Sequence, residues 1–171
     1  MPKILLIVKA PDPILERKLK TVKNFDDSLA KLVEDMVETL HKSEGLGLGA
    51  NQVNHDLRLA IVEYTPADEE ESSWPAIPLT VLVNPKIIHQ SKNTIVIEEG
   101  CLSLPNLQRP IERAESIEII NHDISGKRYR LKADGLLARV CQHEIDHLNG
   151  ILITDHPEAE AQEGKIHRFK I

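Results

Sequence analysis

The residues of this chain best placed to do chemistry are two histidines four positions apart with a glutamate beside the first, in Gln142-His143-Glu144-Ile145-Asp146-His147. On an α-helix that spacing sets the imidazoles about 40° apart and about 6 Å along the axis, so both reach one divalent ion while Glu144 reaches a water bound to it. The pattern is His-Glu-x-x-His, in which the carboxylate serves as general base. Leu136, Val140, His143 and His147 fall at i, i+4, i+7 and i+11, so the histidines prolong an apolar, inward-facing stripe. Two imidazoles and a carboxylate turned toward a core are costly to bury unless a partner such as a divalent cation satisfies them. Two surface histidines with Glu144 and Asp146 as solvated neighbours are the bland alternative. The helix is expected to start at Asp134 as N-cap and to stop at Gly150.

A mononuclear catalytic site needs a third protein ligand. A third histidine six residues after the second would make a metzincin, but that position is Ile153. Glu158, Glu160 or Glu163 could serve as in thermolysin, although they lie in a polar tail after Pro157 with no helical frame to aim them. Upstream, Glu99-Gly100-Cys101-Leu102-Ser103 offers a thiolate after a strand-like run, a favoured ligand for zinc or ferrous iron, and Cys101 is the expected third ligand. Cys141 precedes His143 by two residues, about 200° around the helix, and reads as small core filler.

Three segments together make the chain resemble a peptide deformylase: Gly45-Leu46-Gly47-Leu48-Gly49-Ala50-Asn51-Gln52, Glu99-Gly100-Cys101-Leu102-Ser103 and Gln142-His143-Glu144-Ile145-Asp146-His147-Leu148-Asn149-Gly150. The similarity runs from Pro11-Asp12 to about Asp155. The resemblance implies Cys101, His143 and His147 as metal ligands, Glu144 as general acid and base, and the Gln52 amide with the Leu102 backbone N–H as an oxyanion hole. It also implies that Leu46 and Gly47 pair with the substrate backbone as an added strand, and that Gly100, Leu136 and Val140 border the substrate. The implied reaction removes formyl from N-formylmethionyl nascent peptides and releases formate. The implied metal is Fe²⁺, although one thiolate and two imidazoles also accept Zn²⁺, Ni²⁺ or Co²⁺. Two rivals stand beside it, a zinc endopeptidase using a tail carboxylate and a metal-stabilised module that binds formylated N-termini without turnover.

Departures from the family pattern carry expectations of their own. Gly49 stands where the family usually has Ala, which should loosen the loop slightly. Arg139 stands where apolar side chains are common, and should either snorkel to solvent or border the methionine pocket. Many bacterial members end in a helix implicated in ribosome docking. The tail 156–171, broken by Pro157 and Gly164, is too short for one, so transient ribosome contact is the least supported partner. A phosphate-cradling reading of Gly45–Gly49 fails, because the stretch follows a helix rather than a strand and contains no Gly-Lys-Ser/Thr; a bare helix-ending turn with Gly45 at C′ remains open.

Positioning these groups requires an α+β domain, with mixed or antiparallel sheets packed around a central metal-binding helix. Leu29, Leu32, Val33, Met36, Val37 and Leu40 predict a helix over 28–42, with Asp26-Asp27 as capping candidates. Strands are predicted over 57–64, 79–84, 87–90, 94–98, 116–121 and 127–132, the last two joined by a Ser125-Gly126 turn, and 165–171 alternates as a terminal strand would. Pro66 to Pro78, with Asp68-Glu69-Glu70-Glu71, reads as a solvated loop.

At 171 residues one domain, 1–171, is expected, and the net charge of −6 without a basic run argues against DNA, RNA or anionic membrane as partners. Ile4–Val8 is too short for a signal-peptide core, and two cysteines, one assigned to a metal, suit a reducing cytoplasm.

Overall fold

The computed structural model describes residues 1–68, 72–160 and 168–171. Two sheets flank one central helix. The larger has the order β1 (Gly47–Gly49), β2 (Leu59–Tyr64), β3 (Ile77–Gln90), β6 (Ser116–His122), β7 (Arg128–Asp134), and every pairing in it is antiparallel. In the smaller, β4 (Thr94–Cys101) lies between β5 (Leu104–Ala114), antiparallel to it, and β8 (Arg168–Lys170), parallel to it. The α+β architecture around a central helix is as the sequence predicts. Glu69, Glu70 and Glu71 of the expected loop, and 165–167 of the expected terminal strand, lie outside the described residues.

The first helix, α1 (Asp27–His41), forms where its spacing predicts: the Asp26 carboxylate accepts from the Ser28 and Leu29 backbone N–H groups, satisfying two donors that a helix start leaves free. It ends on Lys42, so Gly45 is not its C′ residue; the chain is instead extended into β1. Its apolar face packs with Leu48, Leu59, Ile61 and Val83 of the larger sheet and with Leu102. The second helix, α2 (Gly135–Leu148), packs against β1, β2, β5 and β7 and buries residues on almost every face.

Two strand expectations need correction. The segments 79–84 and 87–90 are one strand, β3, bent at Asn84-Pro85: Asn84 has φ 49°, and the register against β6 shifts between Val83 and Lys86. Asn84 earns that conformation with its side-chain amide, which bonds both the N–H and the carbonyl of Val22 and ties the segment before α1 to the sheet. The strand β5 was not expected at all. Pro105, Asn106 with φ 65° and Pro110 make it read as loop, yet it pairs with β4 from Thr94↔Ala114 to Gly100↔Gln108. The hairpin matters to the site, because Cys101 closes β4 just before the turn at Leu102-Ser103, beside a register shift that re-aims its side chain.

Candidate metal centre

Strand β4 and helix α2 bring the three expected ligands together, Cys101 from 42 residues before the first histidine. One ligand atom each from Cys101, His143 and His147 lies within 4.8 Å of the others, and all three residues are buried. The Cys101 Sγ is 3.2 Å from the His147 Nε2. The His143 Nδ1 is 3.0 Å from a Glu99 oxygen, which leaves the Nε2 for the centre; that atom is buried with no hydrogen-bond partner among the described residues. A thiol and two imidazole nitrogens converging in a dry pocket with open valences fit a divalent transition ion. Burial pushes the Cys101 thiol up to about 12, with the Glu144 charge adding to it; burial also holds His147 well below the usual imidazole range, helped by His143 and Arg113. The imidazole is thus already in the neutral form that ligates, whereas the thiol needs a cation to give up its proton.

Glu144 lies beside this group. It is fully buried, and neither carboxylate oxygen has a hydrogen-bond partner among the described residues. Burial pushes its carboxyl well above the usual range, against the opposing Arg113 charge. The strand β1 approaches it closely enough that a Cβ on Gly47 would collide with the carboxylate. The same closeness accounts for Gly49: a Cβ there would come to 2.9 Å from the Asn51 Oδ1 and 3.2 Å from the His147 Cβ. The expected loosening is therefore not the main consequence of Gly49, which instead admits the metal helix.

Behind the ligands runs an ionic network that the sequence did not reveal. Arg113 of β5 clasps Glu99 through two nitrogens, at 2.6 and 2.9 Å, and reaches Asp146 at 2.8 Å. Arg139 donates to Glu99 at 2.6 Å and to the carbonyls of Ile111 and Ile95. At 1 % exposure Arg139 neither snorkels to solvent nor sits free at a pocket rim, which corrects both expectations for it. Burial raises the Glu99 carboxyl, but Arg113 and the His143 hydrogen bond outweigh this and hold it well below the usual range. Glu99 thus stays ionised, fixing the ring orientation of His143 as a carboxylate behind a ligating histidine does. Its position next to Gly100-Cys101 was visible, but nothing in the spacing pointed to Arg113, fourteen residues away across the hairpin.

The remaining expected residues surround the centre. The Gln52 Nε2 lies 3.7 Å from the Cys101 Sγ and 3.1 Å from the Ser103 Oγ, while its Oε1 accepts from the Gly49 N–H. The Leu102 N–H is engaged at 3.2 Å by the Ile171 carbonyl. Gly100 borders an open cleft of about 370 Å³ that runs from Cys101 past Leu104 and Asn106 to Gln108. Leu136 and Val140 lie in the main core, with Leu46 half-buried against it. Cys141 is in that core too, as filler. Of the alternative ligands, Glu158 and Glu160 are exposed and outside the cluster, and Glu163 lies outside the described residues.

A buried thiol and two imidazoles, with an unpartnered carboxylate at their side and a cleft bordering the thiol, define a metal-dependent hydrolase. The polypeptide deformylase family model matches residues 4–163. A peptide deformylase of Dictyoglomus turgidum is 44% identical over 158 residues, 92% of this chain and 95% of that protein; one of Brucella suis biovar 1 is 38% identical over 164 residues, 96% and 90%. Among solved structures, the Met-Ala-Ser-bound class I type b peptide deformylase from Acinetobacter baumannii has a TM-score of 0.86 at 32% identity, covering 92% of this chain and all of that one. The enzyme from Thermotoga maritima has a TM-score of 0.80 at 35% identity, covering 91% and 99%. The chain belongs to the polypeptide deformylase family, and it is a metal-dependent enzyme that removes the formyl group from the N-terminus of newly made polypeptides.

Proposed function

We propose that Cys101, His143 and His147 hold the ion, that Glu144 moves the protons, and that Gln52 and the Leu102 N–H receive the charge that grows on the formyl oxygen. The observation that carries this reading is the unpartnered Glu144 carboxylate beside three converging donor atoms. When bound, the ion acts as a Lewis acid that brings the acidity of a water into the neutral range. A dication nearby also favours the ionised form of Glu144, offsetting its burial. Glu144 takes a proton from the attacking water as the new C–O bond forms. It then delivers that proton to the amide nitrogen as the C–N bond breaks, leaving formate and a free amino terminus. Each donor facing the oxyanion supports on the order of a hundredfold or more in rate. Leu46 and Gly47 are the backbone against which the peptide lies, with Gly100 opposite and Leu136 and Val140 floored beneath its first side chain.

We assign Fe²⁺ as the native metal, with Zn²⁺, Ni²⁺ and Co²⁺ as competent occupants of the same donors. The cytoplasm is the compartment that suits a buried, reduced Cys101 and a nascent-chain substrate. No described helix is long and apolar enough to cross a membrane. Ribosome docking gains no support: after Leu148 the described residues hold only a 3-10 turn at Ile153–Asp155 and the strand β8.

The test is formate release from formyl-Met-Ala-Ser by protein purified anaerobically and loaded separately with Fe²⁺, Ni²⁺ and Zn²⁺, beside a Glu144→Ala control. Turnover that vanishes in the control supports the assignment and ranks the metals. Stoichiometric metal binding without turnover would transfer the weight to a formyl-peptide binder.

A further inference from the structure

The backbone groups that the substrate reading needs are held by the chain's own far end. Strand β8 pairs in parallel with β4, in the register Glu98↔Arg168, Glu99↔Phe169 and Gly100↔Lys170. Ile171 carries the ladder to the metal ligands: its N–H donates to the Gly100 carbonyl at 3.1 Å, and its carbonyl accepts from the Leu102 N–H at 3.2 Å. Its side chain is fully buried in the same cluster as Leu136 and Val140, against which Leu46 packs. Of the groups proposed to receive the peptide, Gly100 and Leu102 are hydrogen-bonded by Ile171, and Leu136 and Val140 belong to the same core cluster, against which Leu46 packs.

We propose that residues 168–171 are an intramolecular occupant of the β4 edge that receives the substrate backbone, which a formyl-peptide must displace before it can react. The inference rests on the catalytic reading above. A backbone N–H or carbonyl that faces one strand edge cannot serve two strands at once, so the tail and the peptide exclude one another at Gly100 and Leu102. Chain direction separates the two occupants. The tail runs parallel to β4, toward Cys101, whereas a peptide that presents its formylated N-terminus to the metal ligands and extends back along β4 runs the other way. The tail therefore blocks that edge without offering an N-terminus to the metal ligands. This also explains why the Leu102 N–H, expected in the oxyanion hole, has a backbone partner in the free enzyme. Substrate capture is thereby linked to undocking: if the tail is docked nine-tenths of the time, the apparent affinity for peptide falls about tenfold.

The experiment uses the metal-loaded full chain with Ile171→Pro, which removes the N–H donated to Gly100, and Ile171→Ala as a milder variant. Two readouts are taken: KM and kcat for formyl-Met-Ala-Ser, and amide hydrogen exchange across 98–104 and 168–171. Both variants are expected to lower KM, by up to about tenfold for a tail docked nine-tenths of the time, with kcat within about twofold, and to speed exchange at Leu102. In the unaltered protein, added Met-Ala-Ser, which lacks the formyl oxygen, is expected to release the amides of 168–171 and to speed exchange at Leu102 as its Ile171 partner leaves, an arm that does not depend on any variant folding. Turnover with an unchanged or raised KM, and tail amides undisturbed by Met-Ala-Ser, would overturn the proposal alone and make the tail a fixed wall of the pocket. No formate release from any of the proteins, even with metal bound, would overturn the catalytic reading beneath it.

Discussion

The two helices are of nearly equal length, 15 and 14 residues, but bury their residues for opposite reasons. Helix α1 turns one face inward and fills it almost wholly with Leu29, Leu32, Val33, Met36 and Leu40, leaving the other face to solvent. Helix α2 is enclosed on nearly all sides, and five of the eleven residues it buries are polar: Arg139, Gln142, His143, Glu144 and His147. On α1 burial is the source of stability, at about 25 cal/mol per Å² of apolar surface. On α2 each polar group is a liability until something answers it. Gln142 is answered by the Ala114 backbone on both its amide atoms, Arg139 and His143 by Glu99, and the remaining valences by an ion or by nothing. A central helix can thus carry apolar core and a polar site at once, its Leu136, Val140, Ile145 and Leu148 packing the main core while its polar residues are arranged for chemistry.

The contrast breaks most sharply at Glu144. Glu144→Gln is expected to cost about 10³-fold or more in kcat with metal content retained, the usual range for a lost proton carrier. The same variant is expected to raise the melting temperature of the ion-free protein. Glu144 has a raised folded-state pKa, so its favourable contribution is present below the ordinary carboxylate range and is lost as pH rises; removing the charge should help increasingly toward neutral and alkaline pH. Thermal melts of chelator-treated protein from pH 5 to pH 8 measure this, and a variant uniformly less stable would contradict it.

Next is Glu99→Gln, which leaves Arg139 without a counter-charge and Arg113 with Asp146 alone, and unfastens His143. We expect a loss of about 3 kcal/mol or more from the unpaired charge, and 10- to 100-fold weaker metal binding, read by denaturant titration and metal competition. The unaltered carboxylate has the opposite pH sign to Glu144. Its folded-state pKa is depressed, so its contribution is complete above about pH 4.5, the ordinary Glu range, and drains away as pH falls below it. An acid-unfolding limb that persists unchanged in Glu99→Gln would count against this assignment.

On α1 the expected losses are of stability alone. Met36→Ala, at a fully buried site, should cost about 2–4 kcal/mol while leaving kcat and metal content per folded molecule unaltered. Asp26→Ala should cost only about 1 kcal/mol by removing the N-cap. A change in kcat from either one would mean that α1 and the centre are coupled more tightly than their separate clusters suggest.

The same contrast sets what the sequence could disclose. Helix α1 is legible because its information is local: an apolar repeat with an aspartate before it. The ligands on α2 are legible because their spacing is a helical turn, and Cys101 because its neighbours belong to a recognisable segment. Arg113 and the burial of Arg139 are not legible, since a charged residue reads as solvated until its partner is found, and the partner comes from another strand. The strand β5 hides behind two prolines and a left-handed asparagine that an edge position tolerates. The contact of Ile171 with Gly100 and Leu102 is non-local in the same way.

The cluster of Glu99 with Arg113, Arg139 and His143 also constrains how this enzyme can change over generations. An apolar residue at 139 removes one positive neighbour from Glu99 and a donor from the Ile95 and Ile111 carbonyls; loss of Glu99 leaves Arg139 without a counter-charge and unfastens His143; loss of Arg113 releases both Glu99 and Asp146. No single exchange at Glu99, Arg113 or Arg139 leaves its neighbours satisfied, since the arginine at 139 also serves the Ile95 and Ile111 carbonyls. Change here therefore requires at least two positions to move together.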